Sequence, residues 1–329
     1  MGGVVVTRPV LIAGIPRSGT SWVLQVLRRT SDVIRVYEPD NEWHHVQAMR
    51  AKRDLGRFPV LAAGDDSPEL AALWARALSG RAGLSSPAGK WAESLFRGAT
   101  NDARQQVVDG GGMSARLRAA VLLAGWPGRA RPAASETPVV KSVHCVFSLE
   151  WIAARWDPQI VLVTRDPRNV IASWLEMDLR DRDRRLDDDP RVRAQVLEPL
   201  GLPPAPSSSD PLHRAAWHLG VLSAALDRAA AGHPDWRVVR HEDLCVDPRG
   251  RFQTLTSQLG LSWTDACDAF LQSTDTDGAG YEVRRVAADQ PDRWRTRLTP
   301  AQVDTIAQEL ARFPRMTAGD RPAGAERPS

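Results

Sequence analysis

Short runs of β-branched and apolar residues alternate along the chain with longer segments of helical periodicity. The runs predict strands at Val10–Ile15, Val33–Tyr37, Val139–Lys141 and Ile160–Thr164, with a weaker fifth strand at Val238–Val239. Several runs are apolar at nearly every position, which is typical of strands buried on both faces of a parallel sheet. The alternation of strands and helices therefore predicts an α/β fold of three layers, in which a mainly parallel central sheet is flanked by helices.

Apolar residues at spacings of three and four predict the intervening helices. Such stripes occur in four segments: Trp22–Leu27, Leu149–Trp156, Leu212–Leu226 and Phe252–Leu259. The last helix also has a start signal, because Thr299 and Gln302 can form a capping box around Pro300. Its apolar stripe continues to Phe313.

Two segments lack this periodicity and are predicted as loops. Arg180–Arg193 is almost wholly charged, and Pro199–Pro211 is rich in proline and serine. The charged run can be a solvated surface or a mobile cover over a pocket. We expect a single domain over residues 1–316 and a disordered tail over residues 317–329.

Composition and charge exclude several classes of protein. A net charge of +3 is small for 329 residues and gives no support to a general nucleic-acid binder, although a pI of about 9.0 suits an anionic ligand. No apolar run approaches the ~20 residues of a membrane span. Cys145, Cys245 and Cys267 show no paired spacing, which argues against a disulfide framework or a zinc site. We therefore expect a cytoplasmic protein with no membrane span.

The segment Gly14–Ser21 leaves the first predicted strand and enters a predicted helix. Glycine lets the backbone turn tightly, and the free amides at a helix start form an anion site. The spacing is that of the phosphate-binding P-loop, GxxxxGK[ST], with Thr20 at the lysine position. A purely structural strand–turn–helix joint would not require Arg17, Ser18 and Ser21 as well, so we interpret the segment as a P-loop-like ligand site.

The absence of the usual lysine narrows the choice of nucleotide. A kinase or an ATPase uses that lysine to reach the β- and γ-phosphates, together with Mg²⁺. The terminal sulfuryl group of a phosphosulfate carries only one negative charge and needs no metal ion. Arg17 can lie along the bridging and terminal oxygens of such a group through its planar guanidinium.

The stretch Pro16–Trp22 resembles the 5′-phosphosulfate-binding loop of sulfotransferases that use 3′-phosphoadenosine 5′-phosphosulfate (PAPS). The form Gly-Ile-Pro-Arg-Ser-Gly-Thr is similar to the tyrosylprotein and carbohydrate branches, in a bacterial-type version, whereas cytosolic members usually have lysine in place of Arg17. The resemblance implies that PAPS and its product PAP are held by five loop residues: Arg17, Ser18, Gly19, Thr20 and Ser21.

A second strand–helix junction, Ile160–Trp174, contains candidates for the other end of the nucleotide. Asp166 is a good helix N-cap and Pro167 a good first helical residue. Arg165 therefore ends the strand, and Ser173 follows about two helical turns later. The segment resembles the 3′-phosphate-binding segment of the same family, which implies that Arg165 and Ser173 bind the 3′-phosphate.

Two later segments resemble the family less closely. Arg284 and Arg285, followed by Trp294, are loosely similar to the segment that closes over the 3′-phosphate, so Arg285 is a further candidate for donor binding; a solvated basic loop is the alternative. His241–Leu244 reads His-Glu-Asp-Leu and resembles the family's Tyr-Glu-Asp-Leu. We interpret that segment as a marker of the fold.

Sulfuryl transfer needs an in-line acceptor oxygen, a base for its proton, and positive charge at the bridging oxygen. Glu38 follows a predicted strand at the rim where open α/β sheets bind ligands. It is similar in position to the catalytic base of tyrosylprotein sulfotransferases, and a surface carboxylate is the alternative. Four nearby side chains could substitute for it: Asp40, Glu42, His44 and His45.

Lys141 ends a predicted strand and is the candidate for contact with the bridging or terminal oxygens. Cytosolic sulfotransferases carry Lys-Thr-His at this point, with the histidine as base. This chain reads Lys-Ser-Val-His and is one residue longer. His144 is therefore the second choice to Glu38, since a lone histidine at a helix start more often has a structural role.

The predicted function is transfer of a sulfuryl group from PAPS to an acceptor hydroxyl on a carbohydrate, a phenol or another small molecule, without a metal ion. Two alternatives remain open from the sequence. One is a P-loop kinase or NTPase that lacks the usual lysine, and the other is a non-catalytic PAP-binding protein.

Overall fold

One parallel sheet forms the centre of the fold. The computed structural model describes residues 8–83, 87–109, 114, 116, 135–177, 186, 188–208, 210–276 and 286–314. In this part of the chain the strands are β1 (Val10–Gly14), β2 (Val33–Tyr37), β3 (Thr137–Ser142), β4 (Gln159–Thr164) and β5 (Arg237–Arg240). They lie in the order β2-β3-β1-β4-β5, and every pair is parallel. The predicted fold class is therefore confirmed.

The strand ends differ from the prediction by one or two residues. β1 ends at Gly14 and not at Ile15, while β3 begins at Thr137 and continues to Ser142. The prediction started β3 at Val139, the first residue of its β-branched run. A proline inside a central strand is unusual, because it removes a donor from the hydrogen-bond ladder. Pro138 nevertheless lies within β3, opposite Ile34 of the edge strand.

Helices cover both faces of the sheet. Their bounds in the described residues are α1 Thr20–Leu27, α2 Val46–Ala51, α3 Pro68–Leu78, α4 Pro87–Gly98, α5 Asn101–Asp109, α6 Leu149–Trp156, α7 Pro167–Glu176, α8 Pro211–Gly232, α9 His241–Val246, α10 Pro248–Gln258, α11 Asp265–Thr274 and α12 Pro300–Leu310. Single helical turns lie at Arg81–Gly83, Val146–Ser148, Pro190–Val192, Arg193–Leu197, Ala287–Asp289 and Arg293–Thr296.

Alternate strand residues face opposite helical layers. Leu11 and Ala13 pack into a core with residues of α3, α6, α7 and α8, whereas Val10 and Ile12 pack against residues of α1, α10 and α11. Both faces of β1 are thus buried, which explains why this strand is apolar at every position.

An Asp-Pro pair starts helical segments repeatedly along the chain. The carboxylate accepts a backbone N–H of the first turn, and the proline occupies a position whose own N–H would have no helical partner. This pattern occurs at four helical starts: Asp166-Pro167, Asp189-Pro190, Asp210-Pro211 and Asp247-Pro248. The predicted capping box of the last helix is also present, since Thr299 and Gln302 exchange hydrogen bonds.

The structure corrects the prediction of a loop over Arg180–Arg193. Residues 178–185 and 187 lie outside the described residues, but Pro190–Val192 is helical and leads into Arg193–Leu197. The cap explains the difference: Asp189 Oδ1 accepts the N–H of Arg191 at 2.9 Å. The predicted tail and half of the charged run fall outside the described residues. Among the described helices, even the 22-residue α8 lacks the hydrophobicity of a transmembrane span.

The close packing of α8 on the C-terminal helix generates a stability prediction. A methyl group at Gly220 of α8 would lie 2.4–2.7 Å from ring atoms of Phe313, whereas one at Gly232 would meet nothing within 4 Å. We expect Gly220→Ala to lower the free energy of unfolding by about 1–3 kcal/mol through overpacking. Gly232→Ala is the matched control and should be neutral or stabilising by up to about 1 kcal/mol. Urea denaturation measures both, and equal stability of the two variants would contradict the packing described.

Candidate functional site

A cavity of about 960 Å³ lies at the carboxyl edge of the sheet. Residues that follow each of the five strands line it, in chain order Arg17, Glu38, His144, Arg165 and His241. Because all strands are parallel, their carboxyl ends meet at this edge, which is where open α/β sheets bind ligands. The candidate site is therefore built by the whole sheet.

The loop between β1 and α1 presents free backbone donors to the cavity. Gly19 is the N-cap of α1, has a φ of 101°, and offers no side-chain cap. Among the described residues, the N–H groups of Gly19, Thr20 and Ser21 donate no hydrogen bond. The hydroxyl of Ser18 is buried and likewise has no described partner. Such a cluster of donors at a positive helix end is suited to an anion.

Arg17 is held by the second strand–helix junction. It has a φ of 74°, in the left-handed region, and its Nε donates a hydrogen bond of 2.8 Å to Ser173 Oγ on α7. Arg165 Nη1 donates to the carbonyl of Arg17 at 3.1 Å, and Trp174 Nε1 donates to the carbonyl of Pro16 at 2.9 Å. The structure thus brings together Arg17, Arg165 and Ser173, although the hydroxyl of Ser173 is used by Arg17.

Arg165 is a partly buried cation at the cavity wall. Burial lowers the pKa of its guanidinium to about 10, and the charge of Glu242 opposes this shift. Its Nε has no hydrogen-bond partner in the described part of the chain. A buried charge with unused donors is costly unless an anion pairs with it, so this position is suited to a ligand with negative charge.

His241 was predicted only as a marker of the fold, yet it lines the cavity. A methyl group at Gly19 would lie 2.3 Å from its Cδ2 atom, and its ring centroid lies 5.6 Å from that of Trp22. Burial and the nearby Arg165 hold the pKa of His241 well below its ordinary value. The close approach of this ring and the positive φ of the loop both require glycine at position 19.

Glu38 and Lys141 form an ion pair at the ends of the neighbouring strands β2 and β3. Lys141 Nζ donates to Glu38 Oε1, and both side chains are buried. The Glu38 backbone has a φ of 42°, and its N–H donates to the carbonyl of Lys141 at 2.8 Å. Asn41 Nδ2 donates to Glu38 Oε2 at 2.7 Å.

The ion pair keeps the carboxylate charged. Burial raises the pKa of Glu38, but the Lys141 ammonium and the Asn41 amide together outweigh burial, so its pKa lies below the ordinary value. Glu38 is therefore ionised at neutral pH and can accept a proton. The carboxylate is a chemically competent base, with a lysine beside it that can contact developing negative charge.

A buried polar cluster supports the turn that carries Glu38. Ser142 Oγ donates to Asp40 Oδ2 at 2.6 Å, and Lys52 Nζ donates to the carbonyl of Asp40 at 3.0 Å. Lys52 also pairs with Glu42 at 2.5 Å, as Arg57 does at 3.2 Å. Asp40 and Glu42, predicted as substitutes for Glu38, are thus engaged in holding the turn.

The three histidines near this turn differ in their positions. His144 is fully buried, and its backbone N–H donates to Ser142 Oγ at 3.0 Å. Burial and the nearby charges of Lys52 and Arg57 hold the pKa of its ring well below the ordinary value. His44 Nδ1 lies 3.9 Å from Glu38 Oε2, and burial lowers its pKa to about 4. His45 faces Glu93 at 3.5 Å.

Some site residues were not predicted, and one prediction cannot be placed. Asn41, Trp43, Arg57 and Arg97 line the cavity on the side of Glu38. Their spacing after β2 follows no motif, and the nearest signal was the cluster of polar residues after Glu38. Arg285, like Arg284, lies outside the described residues.

The comparison with protein families gives one match. The model described as "Sulfotransferase family" matches residues 9–198, which include both strand–helix junctions and the Glu38–Lys141 pair. No curated protein sequence matches the chain significantly.

Three solved structures are similar to the chain over most of its length. A sulfotransferase domain from the curacin biosynthetic pathway has 16% identity and a TM-score of 0.46, covering 94% of this chain and 99% of that chain. A sulfotransferase domain of a Synechococcus olefin synthase has 17% identity and a TM-score of 0.42, covering 96% of this chain and 97% of that chain. A Mycobacterium tuberculosis sulfotransferase has 15% identity and a TM-score of 0.38, covering 94% of this chain and 77% of that chain.

The burial of Asp40 generates a prediction on the pH dependence of stability. Burial raises the pKa of Asp40 from 3.8 to about 6. The native state therefore binds this proton more tightly than the unfolded state, and its contribution to stability is lost as the pH rises through that window. Relative to Asp40→Asn, we expect the wild-type free energy of unfolding to fall by on the order of 3 kcal/mol between pH 3.5 and pH 7. Denaturant titrations at both pH values measure the difference, and parallel pH profiles would contradict the burial.

Proposed function

Since the chain belongs to the sulfotransferase family, we propose that it transfers a sulfuryl group from PAPS to the hydroxyl of a small acceptor. One observation carries the proposal. A single cavity is lined by the loop after β1 with its free amides, by the partly buried Arg165, and by the Glu38–Lys141 pair. These are a site for each charged end of the donor and a base with an adjacent cation.

The charge of the cavity supports a donor that is negatively charged at both of its ends. Among its described lining residues there are six cations and two carboxylates, a balance of +4: Arg17, Arg35, Arg57, Arg97, Lys141 and Arg165 against Glu38 and Asp275. PAPS carries negative charge on both its 5′-phosphosulfate and its 3′-phosphate. The loop amides of Gly19, Thr20 and Ser21 would hold the former, and Arg165 would pair with the latter.

Three further side chains at the two strand–helix junctions are candidates for contact with the donor. Arg17 donates a hydrogen bond to Ser173, and this contact orients both side chains towards the nucleotide site. The Ser18 hydroxyl, buried without a described partner, is a further donor for a phosphate oxygen. We assign all three to PAPS binding.

In the proposed transfer Glu38 is the base. The acceptor oxygen attacks sulfur in line, the bond between sulfur and the bridging oxygen breaks, and the electron pair leaves with the 5′-phosphate of PAP. Glu38 takes the proton of the acceptor hydroxyl, while Lys141 turns towards the sulfuryl and bridging oxygens. The step consumes no metal ion and no redox partner.

His144 is the alternative base, and its surroundings favour Glu38. Its Nδ1 faces the carbonyl of Asp40 at 3.4 Å and Glu42 at 3.7 Å, within the cluster that supports the turn. Its ring packs edge-on to Phe58 with centroids 5.8 Å apart. These contacts support a structural role for His144.

The acceptor wall offers aromatic rings and positive charge. Tyr37, Trp43 and His44 line the cavity near Glu38, and the Arg57 guanidinium stacks on Trp43 at 4.1 Å. Such a wall is suited to a carbohydrate or a phenol, whose rings pack on aromatic side chains.

We further propose that residues 1–316 form one sulfotransferase domain that acts in the cytoplasm.

The role of Arg165 can be tested by its selectivity between nucleotides. We expect Arg165→Ala to weaken PAP binding by about 10- to 100-fold, because a charge-assisted contact is lost. Adenosine 5′-phosphosulfate, which lacks the 3′-phosphate, should lose about threefold or less. Isothermal titration calorimetry measures both affinities. The control is Arg168→Ala, since Arg168 pairs with Asp166 and stacks on Trp294 outside the cavity. Equal losses for the two nucleotides would argue against 3′-phosphate recognition.

The choice of base can be tested by two amide substitutions. We expect Glu38→Gln to lower kcat by about 10²- to 10⁴-fold, because general-base assistance is removed. His144→Gln should lower kcat by about tenfold or less. The acceptor is first identified by a screen for the mass gain of one sulfuryl group, and PAP affinity verifies that each variant folds. A larger loss in His144→Gln than in Glu38→Gln would reverse the assignment.

A further inference from the structure

Asn41 uses both ends of its side-chain amide in hydrogen bonds. Its Nδ2 donates to Glu38 Oε2 at 2.7 Å, and its Oδ1 accepts the backbone N–H of Trp43 at 3.0 Å. Because only the oxygen can accept from that N–H, the amino group must face Glu38. Trp43 therefore fixes which end of Asn41 the carboxylate meets.

The backbone of Asn41 is anchored independently of its side chain. Its N–H donates to the carbonyl of Glu38 at 3.1 Å, and its carbonyl accepts the N–H groups of His44 and His45, each at 3.0 Å. Asn41 is also only 5% exposed, at the wall of the cavity. The residue thus sits in a rigid turn, which holds its amide against the carboxylate.

The two oxygens of Glu38 have unlike partners. Oε2 is bound by the short, fixed side chain of Asn41. Oε1 is bound by Lys141, whose ammonium group lies at the end of a flexible four-carbon stem. In the proposed function Lys141 turns towards the donor, and this movement frees Oε1 while Oε2 stays bound.

We propose that Asn41 is a positioning residue that holds Oε2 of Glu38, so that Oε1 is the oxygen that takes the acceptor proton. This inference rests on the proposed function, in which Glu38 is the base. The proton moves from the acceptor hydroxyl to Oε1 as the acceptor oxygen bonds to sulfur, and the bridging electron pair leaves with PAP. Asn41 itself neither gains nor loses a proton in this step.

Other charged groups face Glu38 and act on the same carboxylate. Lys141 approaches from β3, and His44 lies 3.9 Å away in the same turn. Asp40, buried two residues along, is close enough for the charge of Glu38 to affect it. The test must therefore change Asn41 while these three groups stay in place.

The chain offers a matched control for such a test. Asn169 on α7 is buried and has the same bonding pattern, since its Oδ1 accepts the N–H of Trp294 at 3.0 Å and its Nδ2 donates to the carbonyl of Pro291 at 2.8 Å. Asn169→Asp disturbs an equivalent buried amide without touching Glu38. Asn41→Asp and Asn41→Ala are the test variants.

The primary measurement is the titration of Glu38 by NMR, with ¹³C-carboxyl-labelled glutamate and Glu38→Gln for assignment. In Asn41→Asp two carboxyl groups would share the site, so we expect Glu38 to titrate about one pH unit or more higher. The acid limb of kcat/KM for PAPS should move by the same amount. In Asn41→Ala we expect kcat to fall about tenfold or more, with KM for PAPS within about threefold.

Two outcomes would overturn the inference: an unchanged titration of Glu38 in Asn41→Asp, or wild-type kcat in Asn41→Ala. Asn169→Asp should leave both the titration and the acid limb unchanged; if it moves them as Asn41→Asp does, the effect is general loosening and the inference fails. Wild-type turnover of PAPS by Glu38→Gln would instead refute the proposed base itself. PAP affinity, measured for each variant, reports that the cavity is intact.

Discussion

Parallel pairing of β1 with both β3 and β4 is the constraint on which the candidate site depends. The register places Ala13 beside Ser142 and Gly14 beside Val163, so the segments that follow these strands emerge side by side. Arg17 and Ser173 are 156 residues apart in the chain, yet they form a hydrogen bond. A shift of one residue in either register would reverse the faces of the strand and separate these groups.

Charge balance in a buried setting determines what each side chain of the site can do. Glu38 and Lys141 neutralise each other, which keeps the carboxylate ionised in a place where burial alone would favour its protonated form. Arg165 has no such complete neutralisation, because Glu242 Oε1 accepts the N–H of Asp166 and the arginine Nε is unused in the described residues. The first arrangement is suited to proton transfer, and the second to binding an anion.

The sequence predicted the framework better than the acceptor side. β-branched runs located the five strands of the described residues, and the glycine loop was recognisable because its spacing is that of a P-loop. The start of β3 was missed because Pro138 precedes the run of β-branched residues that predicted the strand, and proline is unusual in a central strand. Asn41 could not be predicted, since its role depends on the conformation of a turn that starts from the positive φ of Glu38. His241 was identified by resemblance, but its contact with Gly19 is a tertiary feature.

The central claim is that two strand–helix junctions bind the two charged ends of one nucleotide while Glu38 faces the reactive end. A crystal structure of the protein soaked with PAP tests it most directly. The account predicts the 5′-phosphate on the amides of Gly19–Ser21, the 3′-phosphate within hydrogen-bond distance of Arg165, and Lys141 turned away from Glu38 towards the phosphate. PAP bound elsewhere, or bound with Arg165 remote from the 3′-phosphate, would contradict it.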